Sequence, residues 1–271
     1  MRWDPGQYER FTDERARPFH DLLARVQATD VSAVVDLGCG TGRLTLQLAR
    51  RWPGAAVEGI DSSPEMVDRA QSLERPPQVR FSEQDLRGWR PEQPVDVIVS
   101  NATLQWVPGH LDLLPMLVET LSPGGWLAFQ VPGNFAEPSH QELAKLGTSP
   151  RWRARLGADA ERTASAQEPQ DYLDRLLATG CAADVWETTY LHVLTGPDPV
   201  VEWMKGTGLR PVLSALEGDE RAAFLAEYAS AIRPAYPTRE LGGGELGTVL
   251  PFRRIFAVAK KRRDGEGSRA G

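Results

Sequence analysis

A loop of three alternate glycines preceded by an acid is the first feature of this sequence that could do chemistry. Asp36 stands two residues before Gly38, and Gly40 and Gly42 follow at every second position. Glycine lets the backbone turn sharply and lets a ligand approach it closely. The first N–H groups of a helix after such a loop can bind a carboxylate or a phosphate. The pattern therefore predicts a cofactor site.

The spacing of the glycines separates two classes of cofactor. Dinucleotide-binding enzymes carry G-x-G-x-x-G, whereas here Arg43 and Leu44 follow Gly42 without a further glycine. An NAD-dependent oxidoreductase is therefore the less favoured alternative. The order of an acid and then G-x-G-x-G resembles motif I of the class I methyltransferases. That resemblance implies S-adenosylmethionine as cofactor and S-adenosylhomocysteine as product.

Two further acids follow the next two predicted strands. Asp61, with Ser62 beside it, ends the second strand, and Asp85 and Leu86 follow the third. The resemblance implies that Asp61 accepts hydrogen bonds from both ribose hydroxyls. It also implies that Asp85 contacts the adenine amine while Leu86 packs on the ring.

Additional cofactor contacts are expected from the amino terminus and from the end of the fourth strand. Tyr8 and Arg15 are candidates for the methionine carboxylate, although the aromatic residues around Tyr8 would serve equally well as a hydrophobic clasp on the sheet. Asn101 stands at the carboxyl end of its strand, where α/β enzymes bind ligands. Trp106 follows in the next turn as a wall for cofactor or substrate.

The elements that must position these residues alternate along the chain. Short apolar runs near residues 32–37, 56–60, 79–81, 95–100 and 126–131 predict strands, and helical periodicity lies between them. Two later strands are predicted at 184–193 and 254–259. This order predicts a mostly parallel sheet covered by helices on both faces. Ser63 is predicted to cap a helix that has Pro64 in its first turn. Residues 111–121 are predicted to form a helix stopped by 122–125, and 199–241 a mostly helical stretch.

The predicted fold class is α/β, a Rossmann-like class I methyltransferase fold with seven strands and a helical cap formed by insertions. Four segments are expected: residues 1–30 as an amino-terminal lid and helix, residues 31–133 as the cofactor-binding core, residues 134–260 as the rest of the sheet, and residues 261–271 as a disordered tail. The cap insertions are placed at 134–167 and 197–250.

Several stretches make the resemblance more specific, because together they are similar to the trans-aconitate methyltransferases from residue 3 to about residue 260. The informative ones are Gly-Leu-Arg-Pro at 208–211 and Pro-Phe-Arg-Arg at 251–254. The others are Trp3-Asp4-Pro5 with Tyr8 and Phe11, Asp61 to Met66, Asn101 to Val107, Thr188-Thr189-Tyr190 and Ile255 to Ala259.

This resemblance implies esterification of a carboxylate of trans-aconitate or a similar small polycarboxylic acid. A carboxylate is already ionised at neutral pH and needs no general base, so catalysis would depend on positioning. The candidates for that positioning are Gln105, Trp106, Tyr190 and His192, although a strand histidine such as His192 is more often structural.

Arginine suits the remaining carboxylates of the acceptor, because its planar fork accepts a carboxylate at two points. Arg210 and Arg253 are the leading substrate-binding candidates, Arg254 is third, and Tyr236 could add a hydrogen bond. Arg253 and Arg254 should face opposite sides of their strand. No metal-ligand spacing is present, so no metal is expected.

The composition of the chain limits the kinds of partner that it is expected to bind. The formal net charge is -6 and the one basic block, residues 260–263, comes near the end, which disfavours binding to nucleic acid. Neither a signal peptide nor a membrane span is expected, so the sequence predicts a cytoplasmic monomer acting on a small molecule. A methyltransferase of another small molecule or of a natural-product hydroxyl, and a cofactor-binding regulator without catalysis, remain as alternatives.

Overall fold

A computed structural model describes residues 12–156 and 165–263 of the chain, with side chains from residue 16 onward except at 157–164. The predicted lid segment with Tyr8, the side chain of Arg15 and the tail from residue 264 onward lie outside the described residues. They stay predictions.

One mixed sheet of eight strands organises the described residues, in the order β3-β2-β1-β4-β5-β8-β6 with β7 paired to β8. Parallel pairing joins β1 to β2 and β4, β2 to β3, and β4 to β5. This confirms the predicted Rossmann-like α/β fold. The strands are β1 Ala33–Leu37, β2 Ala56–Asp61, β3 Val79–Glu83, β4 Val95–Asn101, β5 Leu121–Pro132, β6 Ala182–Thr195, β7 Arg239–Gly242 and β8 Glu245–Lys260.

The eighth strand is a difference from the seven predicted. β7 pairs antiparallel with β8 across the glycine turn at 243–244, so Arg239–Gly242 is a strand where a helical stretch was predicted. Glycines 242, 243 and 244 all have positive φ, which a tight hairpin requires and which disfavours a helix there.

The helices fall between the strands. Ser63 caps α3 by accepting the Met66 N–H, with Pro64 in the first turn, as predicted. The helices are α1 Thr12–Leu23, α2 Thr45–Arg51, α3 Pro64–Gln71, α4 Leu114–Glu119, α5 Pro138–Gly147, α6 Pro150–Leu156, α7 Pro169–Leu177, α8 Pro199–Lys205, α9 Arg210–Ala215 and α10 Gly218–Ile232.

The predicted helix at 111–121 and its stop at 122–125 were partly wrong. The segment begins as a 3₁₀ turn at His110–Leu113 before α4, and residues 122–125 belong to β5. The reason is pairing, because the Gly124 N–H donates to the Lys261 carbonyl and the Lys261 N–H donates to the Gly125 carbonyl. Hydrogen bonds from a distant part of the chain thus outweigh the local turn signal.

The chain divides into two compact units. The sheet unit comprises Ala16–Pro132, Ala166–Glu187 and the chain from Ile255, and its core is built on Leu37, Ile98 and Phe129. The helical unit includes Gly133–Ser165 and Thr188–Arg254. Its buried cluster includes Trp152, Trp203, Phe224, Tyr228 and Phe252. That the helical unit acts as a cap stays a prediction.

Within the described residues, no helix combines the length and the apolar character needed to cross a bilayer.

Candidate active site

The glycine loop follows β1 in the sheet unit, and its three glycines all have left-handed backbone conformations. The φ angles are 78° at Gly38, 55° at Gly40 and 78° at Gly42. A Cβ on Gly38 would lie 2.2 Å from the Thr103 side chain, and one on Gly42 would lie 2.6 Å from the Phe81 ring. A Cβ on Gly40 would meet no described atom within 4 Å. Gly38 and Gly42 therefore allow the Thr103 and Phe81 side chains to pack against the loop, whereas no described atom fills the space beside Gly40.

Asp61 at the end of β2 holds the open part of this loop. Its Oδ2 accepts the Gly40 N–H at 2.9 Å, and its Oδ1 accepts the Ser63 N–H at 2.9 Å. Each carboxylate oxygen keeps further acceptor capacity. A diol could therefore hydrogen-bond to Asp61 beside the open face of Gly40, which fits the ribose of S-adenosylmethionine. Ser62, between the two bonded residues, is exposed.

Asp36 lies under the loop rather than at its mouth. Its side chain is 2% exposed, and Oδ2 accepts the Thr45 hydroxyl at 2.6 Å. Burial raises the pKa of Asp36 to about 6, the Thr45 hydrogen bond opposes that rise, and the nearby Asp61 charge adds to it. The ionised form of Asp36 places a buried negative charge beneath the glycine loop.

Cys39 inside the loop has no nucleophilic role. The residue is buried, and burial, followed by the charges of Asp36 and Asp61, raises the pKa of its thiol well above the ordinary range. A protonated thiol is a poor nucleophile. Cys39 is therefore a packing residue.

Asp85 is already engaged by another residue. Its carboxylate accepts the main-chain N–H of Arg87 at 2.9 Å and the Arg87 guanidinium through Nε at 3.0 Å and Nη2 at 2.5 Å. These hydrogen bonds lower the pKa of Asp85. Leu86 is 7% exposed and packs with the core cluster that contains Ile60 and Trp89. An adenine contact at Asp85 would compete with this exposed Arg87 pair for the acceptor positions of the carboxylate.

The loop after β4 carries the remaining candidates of the sheet unit. Asn101 Oδ1 accepts the Gln130 side chain at 2.7 Å, so Gln130 orients the Asn101 amide. Gln105 is buried and donates to the Ala102 carbonyl at 2.6 Å, and its Oε1 has no hydrogen-bond partner among the described residues. Trp106 is 50% exposed. Gln105 and Trp106 thus differ, because Gln105 is a buried polar side chain and Trp106 is an exposed ring.

The three candidate arginines of the helical unit differ in burial. Arg254 is 7% exposed, and its guanidinium carbon lies 4.5 Å from the centre of the Phe252 ring. Arg253 is partly buried on the opposite face of β8, and its Nη1 donates to the Gly133 carbonyl at 3.4 Å. Arg210, the first residue of α9, is also partly buried. Arg254, the third candidate from sequence, is therefore the most buried of the three.

Aromatic rings surround the buried candidates of β6. Tyr190 is 3% and His192 7% exposed. The His192 ring stacks on Trp203 at 4.6 Å and lies 5.9 Å from Phe252. Tyr236 is 8% exposed and accepts a main-chain N–H at 3.1 Å at the start of α5. Phe252 contacts both Arg254 and His192, so these two candidates belong to one cluster.

Sequence reasoning missed Thr103 and Asn134. Thr103 fills the space in front of Gly38 and donates to its carbonyl at 3.3 Å. Asn134 is 2% exposed, and its Oδ1 has no hydrogen-bond partner among the described residues. A polar residue two positions after β5 was a usable signal for Asn134. Nothing in the sequence marks Thr103, since its contact joins residues far apart in the chain.

Comparison with known proteins agrees with this geometry. Residues 34–125 match the family described as "Methyltransferase domain". The chain is 54% identical over 265 residues to a trans-aconitate 2-methyltransferase of Streptomyces avermitilis, covering 96% of this chain and 97% of that protein. A second such enzyme, from Rhodococcus jostii, is 48% identical over 259 residues, covering 95% and 99%. Among solved structures, the YcgJ protein from Bacillus subtilis has a TM-score of 0.58 at 15% identity, covering 91% and 99%.

The sheet, the left-handed glycine loop and the acid of β2 are those of an S-adenosylmethionine-dependent methyltransferase. An NAD-dependent oxidoreductase is thereby excluded. The sequence identity of 48–54% over nearly the full length of both chains identifies the family within this class. The chain belongs to the trans-aconitate 2-methyltransferase family.

Proposed function

We propose that this enzyme transfers the methyl group of S-adenosylmethionine to a carboxylate of trans-aconitate, forming a monomethyl ester. The observation that carries the proposal is the 54% identity over nearly the full length of a protein of that name. The buried guanidinium of Arg254 supports it, because an arginine shielded from water is suited to a carboxylate-rich acceptor. We also propose that the chain acts as a monomer on this small molecule, without nucleic acid or a membrane.

The residues would divide the work as follows. Asp61 would accept the ribose hydroxyls, while Asp36 would stabilise the positive end of the cofactor. Arg254 would bind an acceptor carboxylate that does not react, with Arg210 and Arg253 as further cations.

When bound, S-adenosylmethionine supplies an electrophilic methyl group, so the acceptor oxygen forms the new O–C bond while the electrons of the broken C–S bond stay on sulfur. No proton is transferred, because the acceptor carboxylate is ionised at neutral pH. The protein's contribution is to orient the oxygen in line with the methyl group and to exclude water. Gln105 and Trp106, in the turn after β4, would contribute to that orientation.

The test is a methyl-transfer assay with labelled S-adenosylmethionine against trans-aconitate, cis-aconitate, citrate, isocitrate and a set of small hydroxyl compounds. We expect selective labelling of trans-aconitate, with a methyl ester as product. Labelling of a hydroxyl compound in its place would overturn the proposed acceptor and favour the natural-product alternative. Binding of S-adenosylhomocysteine without labelling of any compound would favour the non-catalytic regulator.

Arginine variants test how the acceptor is bound. Arg254→Lys keeps the positive charge but loses the two-point fork, so we expect KM for trans-aconitate to rise by about tenfold. We expect Arg210→Ala and Arg253→Ala to raise KM by a smaller factor, since both side chains are less buried. The Kd of S-adenosylhomocysteine should be unchanged in all three. Arg233→Ala, which removes an exposed arginine paired with Asp198 in the same unit, is the control.

A further inference from the structure

A buried histidine–tyrosine pair joins the loop after β4 to helix α7 within the sheet unit. His110 is 2% exposed and Tyr172 0%. His110 Nε2 lies 2.7 Å from the Tyr172 hydroxyl, and the two rings stack at 5.7 Å. The Tyr172 ring also meets Phe129 of β5 edge to face at 5.3 Å. The pair is thus packed against the sheet itself.

The direction of each hydrogen bond follows from its partners. His110 Nδ1 lies 3.2 Å from the Val107 carbonyl, which can only accept, so Nδ1 carries the proton. The Tyr172 oxygen accepts the Gln167 N–H at 3.1 Å, and its own proton is directed to His110 Nε2. Burial lowers the pKa of His110 and raises the pKa of Tyr172 to about 12. Both groups are therefore neutral at neutral pH, and every polar atom of the pair is satisfied.

A second contact between the same two elements is weaker. Arg175 of α7 donates through Nε to the Leu111 carbonyl at 3.2 Å and through Nη2 to Asp112 at 2.7 Å. The Asp112 side chain is 83% exposed, and ion pairs that exposed contribute little to stability. The buried pair is therefore the main connection.

The loop held in this way carries candidate site residues and needs support. It begins at Ala102, a non-glycine residue with φ 54°, a conformation that persists only where the surroundings enforce it. Gln105 and Trp106 follow in a single 3₁₀ turn, Leu104–Trp106, which begins three residues after Asn101. Thr103 of the same loop packs against Gly38 of the glycine loop. A shift of this loop would therefore move Gln105 and Trp106, the residues proposed to orient the acceptor.

We propose that His110 and Tyr172 are positioning residues that hold Gln105 and Trp106 in place for methyl transfer. Neither residue is assigned contact with cofactor or acceptor. The kinetic consequence rests on the proposed function, whereas the position of the loop and the tautomer of His110 do not. These two properties can therefore be measured even if trans-aconitate is not the acceptor.

The structural test uses the full chain without substrate. Nitrogen-15 spectra of wild type, with the His110 signal assigned by its loss in His110→Gln, should show the Nδ1–H tautomer. In hydrogen exchange, we expect Tyr172→Phe to accelerate exchange of the amides in residues 104–113 by about tenfold. Thr179→Val is the matched control. Thr179 lies just beyond the end of α7, and its hydroxyl donates at 2.6 Å to the Leu176 carbonyl of that helix rather than to the loop.

The functional test compares the same variants in the methyl-transfer assay. Tyr172→Phe should lower kcat/KM for the acceptor by about tenfold while the Kd of S-adenosylhomocysteine stays within twofold of wild type. Thr179→Val should leave both unchanged. The proposal is overturned if Tyr172→Phe lowers Tm as the control does but leaves kcat/KM and loop exchange at wild-type values. An Nε2–H tautomer of His110 in wild type would overturn it independently of the Tyr172→Phe result.

Discussion

The carboxylate of Asp61 accepts the Gly40 N–H at 2.9 Å, although the two residues follow different strands. The acid of β2 therefore orients the glycine loop of β1 in addition to offering oxygens to a ligand. Because a Cβ on Gly40 would meet no described atom within 4 Å, the same hydrogen bond orients the part of the loop that no described side chain covers. Cofactor binding should thus depend on Asp61 in two separable ways.

Two substitutions of Asp61 test its roles in orienting the glycine loop and in offering oxygens to the cofactor. Asp61→Ala removes all the acceptor oxygens, and we expect the Kd of S-adenosylhomocysteine to rise by about 100-fold or more. Asp61→Asn keeps one oxygen, so the loss should be smaller, near tenfold. Isothermal titration calorimetry measures both, with Asp68→Ala as a control at an exposed position on α3. Equal Kd values in wild type and Asp61→Ala would contradict the ribose assignment.

Alanine at Gly40 and at Gly38 should give opposite phenotypes. Gly40→Ala meets no described atom, so it should cost only about 1–2 kcal/mol of unfolding free energy, from its left-handed backbone. Its methyl group would occupy the open space, and the Kd of S-adenosylhomocysteine should rise at least tenfold. Gly38→Ala overlaps Thr103 at 2.2 Å and should lower Tm far more. Urea denaturation together with calorimetry distinguishes them. Similar losses of stability in both variants would contradict this division.

The raised pKa of Asp36 predicts a pH dependence of stability. Its pKa is about 6 in the folded protein against an ordinary 3.8. Between these values the folded state binds the proton more often than the unfolded state, so stability falls as pH rises from about 4 to about 6 and stays lower above. Asp36→Asn should therefore gain on the order of 3 kcal/mol of unfolding free energy at pH 8 and little at pH 4. Urea denaturation at both pH values, without cofactor, tests this. A wild-type pH slope in the variant would show that Asp36 is not its source.

Arg87 binds the carboxylate of Asp85, which is the group assigned to the adenine of the cofactor. Because it holds both oxygens of Asp85, Arg87→Ala should free that carboxylate, raise the pKa of Asp85 towards its ordinary value and tighten S-adenosylhomocysteine binding a few-fold. Asp85→Ala should weaken binding. Titration calorimetry checks both variants, and Arg90→Ala nearby is the control. Unchanged binding in both would remove Asp85 from the cofactor site.

The sheet half of the site was predictable because its signals are local. An acid or an amide directly after a buried apolar strand lies at the carboxyl edge of a parallel sheet, and Asp61 and Asn101 both follow that rule. The Ser63 cap likewise depends on residues three positions apart. The prediction that failed at 122–125 was decided by pairing with Lys261, far along the chain, whereas 239–242 pairs with 245–247 across the adjacent glycine hairpin.

The arginines show what a single sequence could not decide. Strand alternation places Arg253 and Arg254 on opposite faces of β8, but it does not say which face is covered. Alternation puts Phe252 on the same face as Arg254, but it does not reveal that rings of other elements, His192 and Trp203, pack against Phe252 there. The same holds for His110, whose partner Tyr172 is 62 residues away.

The burial of both cysteines also makes this chain convenient for site-specific labelling. Cys39 and Cys181 are its two cysteines, and they are 8% and 2% exposed. Thiol reagents need access to the sulfur atom, and both side chains are buried. A cysteine introduced at an exposed position such as Asp68 should therefore take up a fluorophore or a spin label selectively. The natural sequence already serves as the background for single-molecule spectroscopy, without removing a cysteine from the glycine loop.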